Sequence, residues 1–280
     1  MRGASPRKRF GQHFLEPAWV EKVVRAIDPK ADEIFIEIGP GRGALTRPLA
    51  ARAKKVVGYE IDRDLAAELR AEGLPNVTIV EGDFLETLPR ESRTLESPVP
   101  NPESRRVAGN LPYNAASPIM FKLAELFAAG HPFADATLML QREVADRLVA
   151  KPGTREYGVL SVLLQHVADI QLILKLPAGA FRPPPKVLSA LVRLRFHAPD
   201  PPVASPAMFA DLVRSVFTRR RKTLSNALLA VEKRGRESIL ERVSLLEQAG
   251  LDGRRRPETL TVAEFARLAD AYAAPRLAVL

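Results

Sequence analysis

An α/β fold built on a parallel sheet, with a helical segment after it, is what this 280-residue sequence predicts. Three observations carry the expectation. Short apolar runs alternate with helix-period segments through the first two thirds of the chain, a glycine-rich loop follows the first of those runs, and beyond a Pro-rich stretch the patterns are helical only. Right-handed crossovers then bring the carboxyl ends of the parallel strands to one rim, where sheets of this class hold ligands.

The strands are read from "EIFIEI" (33–38), "KVVGYEI" (55–61), "VTIV" (77–80), "RVAGN" (106–110) and "ATLMLQ" (136–141). Residues 45–53, 63–72 and 118–129 supply helix-like segments between them. "LPRESRTLESPVPNPESRR" (88–106) is rich in Pro, Ser and charge, and reads as a solvated surface excursion with no assigned role. "FHAPDPPVASP" (196–206) reads as a stiff linker. Helical patterns follow at 208–217, 224–233, 238–250 and 262–272, and Thr261 with Glu264 resembles a capping box for the last. The expected organisation is an α/β domain over 1–196, a linker over 197–206 and a helical domain over 207–280. No internal repeat is found.

A hydrophobic content of 46% belongs to a globular chain. No apolar run approaches the ~20 residues needed to span a bilayer. The start, "MRGASPRKRFGQHFL", is basic but lacks the apolar stretch of a secretory signal. A transit segment is a competing reading of it; the expectation is a cytoplasmic protein with no membrane partner. Zero Cys excludes disulfides, thiolate catalysis and Cys-ligated zinc, and no metal site is expected. The net charge of +9 points to a polyanionic partner. Residues 187–280 carry 16 Lys and Arg against 10 Asp and Glu, whereas residues 1–186 carry 26 against 23. The excess is thus concentrated in the last third, where "RRRK" (Arg219, Arg220, Arg221, Lys222) and "RRR" (254–256) stand. For any single basic residue there, a solvated helix face is the competing reading.

The glycine loop is "EIGPGRGALT", in which Gly39, Gly41 and Gly43 let the backbone turn sharply and approach a ligand ahead of a helix N-terminus. Its GxGxG spacing, led by the acidic Glu37, differs from the GxGxxG of dinucleotide sites. Glu60 ends the second strand, where a carboxylate can accept from both ribose hydroxyls of an adenosine. Asp83, in "EGDFL" after the third strand, can accept from an adenine amine. Taken singly, each is as well explained by a tight turn or a helix cap. Together, at three successive strand ends, they resemble the class I S-adenosylmethionine-dependent methyltransferases, whose equivalent positions hold the methionine, ribose and adenine parts of the cofactor. The resemblance implies a Rossmann-like, mostly parallel seven-stranded sheet with a small all-helical C-terminal domain.

"NLPYNAASP" (110–118) falls at the end of the fourth strand, on the same rim. Its NLPY is similar to the signature of methyltransferases acting on exocyclic amines, chiefly adenine N6. That nitrogen shares its lone pair with the ring and attacks carbon poorly. Acceptors on Asn110 and on the main chain of Leu111 or Pro112 would favour a pyramidal nitrogen, and Pro112 adds no competing donor. Tyr113 would lie against the unstacked base. Phe181, in the rigid "FRPPPKV", offers a second aromatic, with a core ring as the plain alternative.

The order "RFGQHFL", "EIGPGRGALT", "YEID", "EGDFL", "NLPYNAASP", "LMLQREVADRLVAKPGTREYGVLS", "FRPPPKV" and "RRRKTLSNAL" is similar to that of the KsgA-type ribosomal RNA adenine N6,N6-dimethyltransferases, from about Arg9 onward. The resemblance implies that Gly39, Gly41, Glu60, Asp83 and Asn110 contact S-adenosylmethionine, with His13 and Leu15 closing the pocket. It implies as substrate two adjacent adenines in the 3′-terminal hairpin loop of small-subunit rRNA, each methylated twice during assembly of the 30S particle. It also implies a helical domain that grips rRNA through residues such as Arg219–Lys222; a monomer is the expected state, which the sequence does not itself determine. His13 departs from the usual Asn of "GQNF"; its imidazole can still donate to a carboxylate, and its titration could make binding pH-sensitive. Three alternatives remain: a large-subunit rRNA adenine methyltransferase of macrolide-resistance type, a non-catalytic assembly factor on the same fold, and a dinucleotide oxidoreductase. The glycine spacing disfavours the last.

Overall fold

The computed structural model describes residues 13–87, 105–113, 115–131, 133–231 and 239–274. Residues 9–12 of "RFGQHFL", nearly all of the 88–106 excursion, Asn114 and residues 232–238 lie outside them. The described elements are, in order, β1 (Phe14–Leu15), α1 (Pro17–Ile27), β2 (Ile34–Ile38), α2 (Thr46–Ala50), β3 (Lys55–Glu60), α3 (Arg63–Ala71), β4 (Val77–Glu81), α4 (Phe84–Thr87), β5 (Arg105–Asn110) and α5 (Ala116–Ala128). There follow β6 (Asp135–Gln141), α6 (Arg142–Leu148), α7 (Val159–Gln165), β7 (Ala168–Leu176), β8 (Phe181–Arg182), β9 (Ser189–Phe196), α8 (Pro206–Phe217), α9 (Leu224–Ala227), α10 (Ile239–Gln248) and α11 (Val262–Ala273).

Contacts divide the chain into two units, one holding the described residues of 1–145 and 169–196, the other those of 146–168 and 197–280. In the first, seven strands form a sheet in the order β4-β3-β2-β5-β6-β9-β7, and β1 pairs with β8 in a separate ribbon. From β4 to β6 the neighbours are parallel, and β9 runs antiparallel to β6. Phe35, Ile36, Glu37 and Ile38 of β2 are all buried, as befits a central strand covered on both faces. Strand order reverses between β2 and β5, which opens a crevice at their carboxyl ends. Gly109 lets β5 close up there: a Cβ on it would lie 2.6 Å from the Ile38 carbonyl oxygen.

Helix α1 begins with Pro17, whose ring suits a first turn, and stops at Asp28, a left-handed residue whose N–H donates to the Val24 carbonyl. Its Val23, Val24 and Ile27 bury against Phe35 and Val56 of the sheet, and Leu15 and Phe181 of the ribbon join the same core. At the amino end of the sheet, away from the crevice, the buried Arg106 guanidinium forks onto Asp135 (3.1 and 2.9 Å) and reaches Glu33 (3.0 Å) and the Ile27 carbonyl (2.8 Å). Arg193 of β9 also reaches Asp135 (3.3 Å), so one carboxylate ties β5, β6 and β9 together.

The second unit departs from the expected boundaries. Residues 146–168 stand with the helices and not with the sheet, because the buried Val162 and Leu164 make α7 a packing partner of α8 and α11. Residues 197–206 are no free linker either. His197 N–H donates to the Val167 carbonyl (2.9 Å), Asp200 N–H to that of His166 (2.9 Å), and the His166 ring bonds the Pro201 carbonyl (2.7 Å) while resting on Phe209. The capping box of α11 is present: Thr261 Oγ1 accepts from Glu264 N–H (3.1 Å) and Glu264 Oε2 from Thr261 N–H (2.8 Å).

Candidate active site

The crevice at the carboxyl ends of β2, β3 and β5 holds a cavity of about 100 Å³, lined by His13, Phe14 and Leu15, by Glu37 and the glycine loop, and by Glu60, Ile61, Asn110, Leu111, Pro112, Tyr113 and Met139. Common small-ligand sites exceed ~300 Å³. The β1 segment lines this one, with the Phe14 ring 3.3 Å from where a Cβ on Gly41 would be. Gly41 turns at φ +59°, a left-handed conformation that favours glycine there.

Glu60 is almost fully buried, and each of its carboxylate oxygens accepts a main-chain N–H: Oε2 from Gly41 (2.8 Å) and Oε1 from Asp62 (2.9 Å). The end of β3 is thereby pinned to the glycine loop. Burial pushes its carboxyl above the ordinary range, and the two N–H bonds work against that shift. Glu37 is buried more deeply, with Oε2 lacking any hydrogen-bond partner. Burial, with a smaller contribution from the charge of Glu60, raises its carboxyl to about 7, against the opposing influence of the Thr46 hydroxyl.

Asn110 ends β5 with its Nδ2 donating to the His13 carbonyl at 2.8 Å. A carbonyl can only accept, so the contact settles which end of the amide is which and leaves Oδ1 as the acceptor. His13 also donates from Nδ1 to the Pro183 carbonyl (2.8 Å) and stacks on Tyr113, with ring centroids 5.6 Å apart. With Nδ1 so engaged, residue 13 acts as a hub between Asn110, Tyr113 and the Pro-rich loop. Leu111 is buried, its N–H bonded to the Met139 carbonyl (3.1 Å), and the Pro112 carbonyl closes a turn onto Ala115 N–H (3.0 Å).

Most of the residues expected from the sequence therefore meet: His13, Leu15, Gly39, Gly41, Glu60, Asn110, Leu111, Pro112 and Tyr113 all line one cavity. Two do not. Asp83 is absent from the lining, and its Oδ1 accepts from Leu85 N–H (2.9 Å) at the start of α4, the helix-capping role. Phe181 is absent from the lining as well, 1% exposed in the core with Leu15. Phe14, Ile61 and Met139 were not foreseen. Ile61 stands directly after Glu60 and is 48% exposed, a signal that an apolar strand reading absorbs.

In the second unit, Arg219, Arg221 and Lys222 are exposed in the turn after α8. Arg220 differs, since its guanidinium is paired with Glu258 and donates to the Thr154 carbonyl (3.1 Å). Among the described residues no helix is long and apolar enough to cross a membrane, and no group of His, Cys, Asp and Glu is placed to hold a metal.

A protein from Acinetobacter baylyi named ribosomal RNA small subunit methyltransferase A is 43% identical over 272 residues, covering 96% of this chain and 93% of that one. The protein of the same name from Salmonella typhimurium is 40% identical, with 96% and 93% covered. Among solved structures, a dimethyladenosine transferase from Plasmodium falciparum superposes with a TM-score of 0.72 at 26% identity, covering 91% of this chain and 96% of that one. The 23S rRNA methyltransferase ErmE gives 0.64 at 28%, with 93% and 100% covered. These neighbours have the class I methyltransferase fold. The profile of the family described as Ribosomal RNA adenine dimethylase matches residues 3–268. The chain belongs to the ribosomal RNA adenine dimethylase family.

Proposed function

We propose that this chain transfers methyl groups from S-adenosylmethionine to N6 of two adjacent adenines in the 3′-terminal hairpin loop of small-subunit rRNA. The observation that carries the reading is the Asn110 amide, held through Nδ2 by the His13 carbonyl so that Oδ1 is the acceptor at the cavity. An adenine amine placed there donates one N–H to Oδ1. With the Pro112 carbonyl engaged on Ala115, that of Leu111 is the main-chain candidate for the other. Two such bonds draw the nitrogen out of conjugation and aim its lone pair. The other half of the site suits a cationic donor: Glu37 offers a buried carboxylate oxygen with no partner, and the glycine loop and Glu60 edge the same cavity. S-adenosylmethionine, when bound, supplies a methyl carbon activated by its sulfonium. The protein's own share is alignment and exclusion of water. Tyr113 stacks on the everted base with the face not covered by His13, an interaction worth about 1–3 kcal/mol.

The small-subunit target is supported by the names of relatives at 40–43% identity, whereas the large-subunit enzyme is similar at 28%. Arg219, Arg221 and Lys222 are the residues that would hold rRNA in the assembling particle. The test is tritium transfer from labelled donor to under-methylated 30S particles, with 50S particles as control. Label in the 30S rRNA alone is expected; label in 50S rRNA alone would overturn the substrate.

A further inference from the structure

Glu37 is a buried titratable group in the cavity whose state of protonation the proposed chemistry does not fix. It is 1% exposed, lines the cavity, and its Oε2 has no hydrogen-bond partner. The groups facing it are few. Glu60 of β3 opposes its negative charge, and the Thr46 hydroxyl and, more weakly, Arg47 of α2 favour it. His13 and Tyr113 border the same cavity. Two carboxylates in one buried crevice, one of them with an oxygen left unbonded, cannot both hold full charge cheaply. A positive group entering beside them reverses that balance.

We propose that Glu37 holds a proton while the cavity contains no cation and releases it to solvent when the cationic part of the methyl donor enters, so that donor binding is coupled to loss of one proton. The inference rests on the reading of the cavity as the donor site. The burial-raised carboxyl, at about 7, places the exchange in the neutral range. Below that value the incoming cation must first displace the proton, and donor affinity falls as pH falls. With one fully coupled proton, affinity rises about tenfold from pH 6 to pH 8 and levels off above.

The test is isothermal titration of the full-length chain with S-adenosylmethionine, and separately with S-adenosylhomocysteine, at pH 6.5 in two buffers of unlike ionisation enthalpy. The expected result is an apparent binding enthalpy that differs between buffers by the release of roughly one proton. Release with both ligands assigns the cation to their shared ammonium, and release with the donor alone assigns it to the sulfonium. Binding with no buffer dependence in either case overturns the proposal and leaves the donor site standing. Absence of binding overturns the donor site, and the proposal with it. Glu37→Gln, which keeps the shape and cannot ionise, should abolish the release. Release that persists in that variant belongs to another group and refutes the assignment, and should the variant fail to fold, the wild-type titration decides alone.

Discussion

Asn110 shows how much one contact can settle. Because its Nδ2 is committed to the His13 carbonyl, Asn110→Ala removes the amine acceptor while leaving the exposed basic residues untouched. Methyl transfer should fall by at least about a hundredfold, on the order of 3 kcal/mol, with RNA affinity nearly unchanged in a filter-binding assay. Wild-type turnover would remove the acceptor role. Glu60 serves twice, as a candidate ribose acceptor and as the clamp on Gly41 and Asp62. Glu60→Ala should weaken donor binding at least about tenfold by calorimetry, and an unchanged Kd would dismiss the assignment. Glu37 makes an opposite prediction for stability. Its folded carboxyl sits near 7 against an ordinary 4.5, so the folded state binds more protons between those values and loses stability as pH rises through them. Glu37→Gln should therefore stabilise the ligand-free protein at pH 8, by up to about 3 kcal/mol, and by little at pH 5. A thermal melt showing the same shift at both pH values would contradict this.

At the scale of elements, five strands were legible to within a residue at each end, because β-branched runs bounded by turn residues are a local signal. Others were not read. Helix α1 has Val20, Val23, Val24 and Ile27 at helical spacing after Pro17, so its signal too is local. The ribbon of β1 and β8 is different in kind: two residues on each side, joined as Phe14 to Arg182 and Leu15 to Phe181, have no pattern of their own. The cluster joining β5, β6 and β9 is likewise invisible locally, since Arg106, Asp135 and Arg193 are far apart in sequence. Asp135→Ala would leave the buried Arg106 guanidinium and the half-buried one of Arg193 short of a partner, and should cost about 3–5 kcal/mol in urea unfolding. A loss under 1 kcal/mol would show that the cluster contributes little.

At the scale of the molecule, the charge excess is borne by residues in unequal circumstances. Reversing Arg219, Arg221 and Lys222 together should weaken RNA binding and lower the slope of log K against log salt by about 2–3, roughly 0.7–0.9 per lost phosphate contact. Arg220→Ala should instead destabilise the helical unit, because its guanidinium spans Glu258 and the Thr154 carbonyl. An unchanged slope in the triple variant would make those charges surface dressing. The composition that suggested a polyanion could not separate these roles, since a sum of charges does not record which are paired.

Local order and local chemistry were determined by the sequence alone. Alternating strand and helix patterns, the glycine turn, the acidic end of β3 and the NLPY turn are each written in a few consecutive residues, and parallel topology carries them to one rim. What only the tertiary structure decided is which side chains face the cavity. Asp83 turned to its own helix, Phe181 went into the core, residues 146–168 joined the helical unit, and His13 became the hub. The physical reason is that burial and hydrogen-bond satisfaction are settled between residues distant in sequence. Asn110 and His13, 97 positions apart, orient each other only once the chain has brought them together.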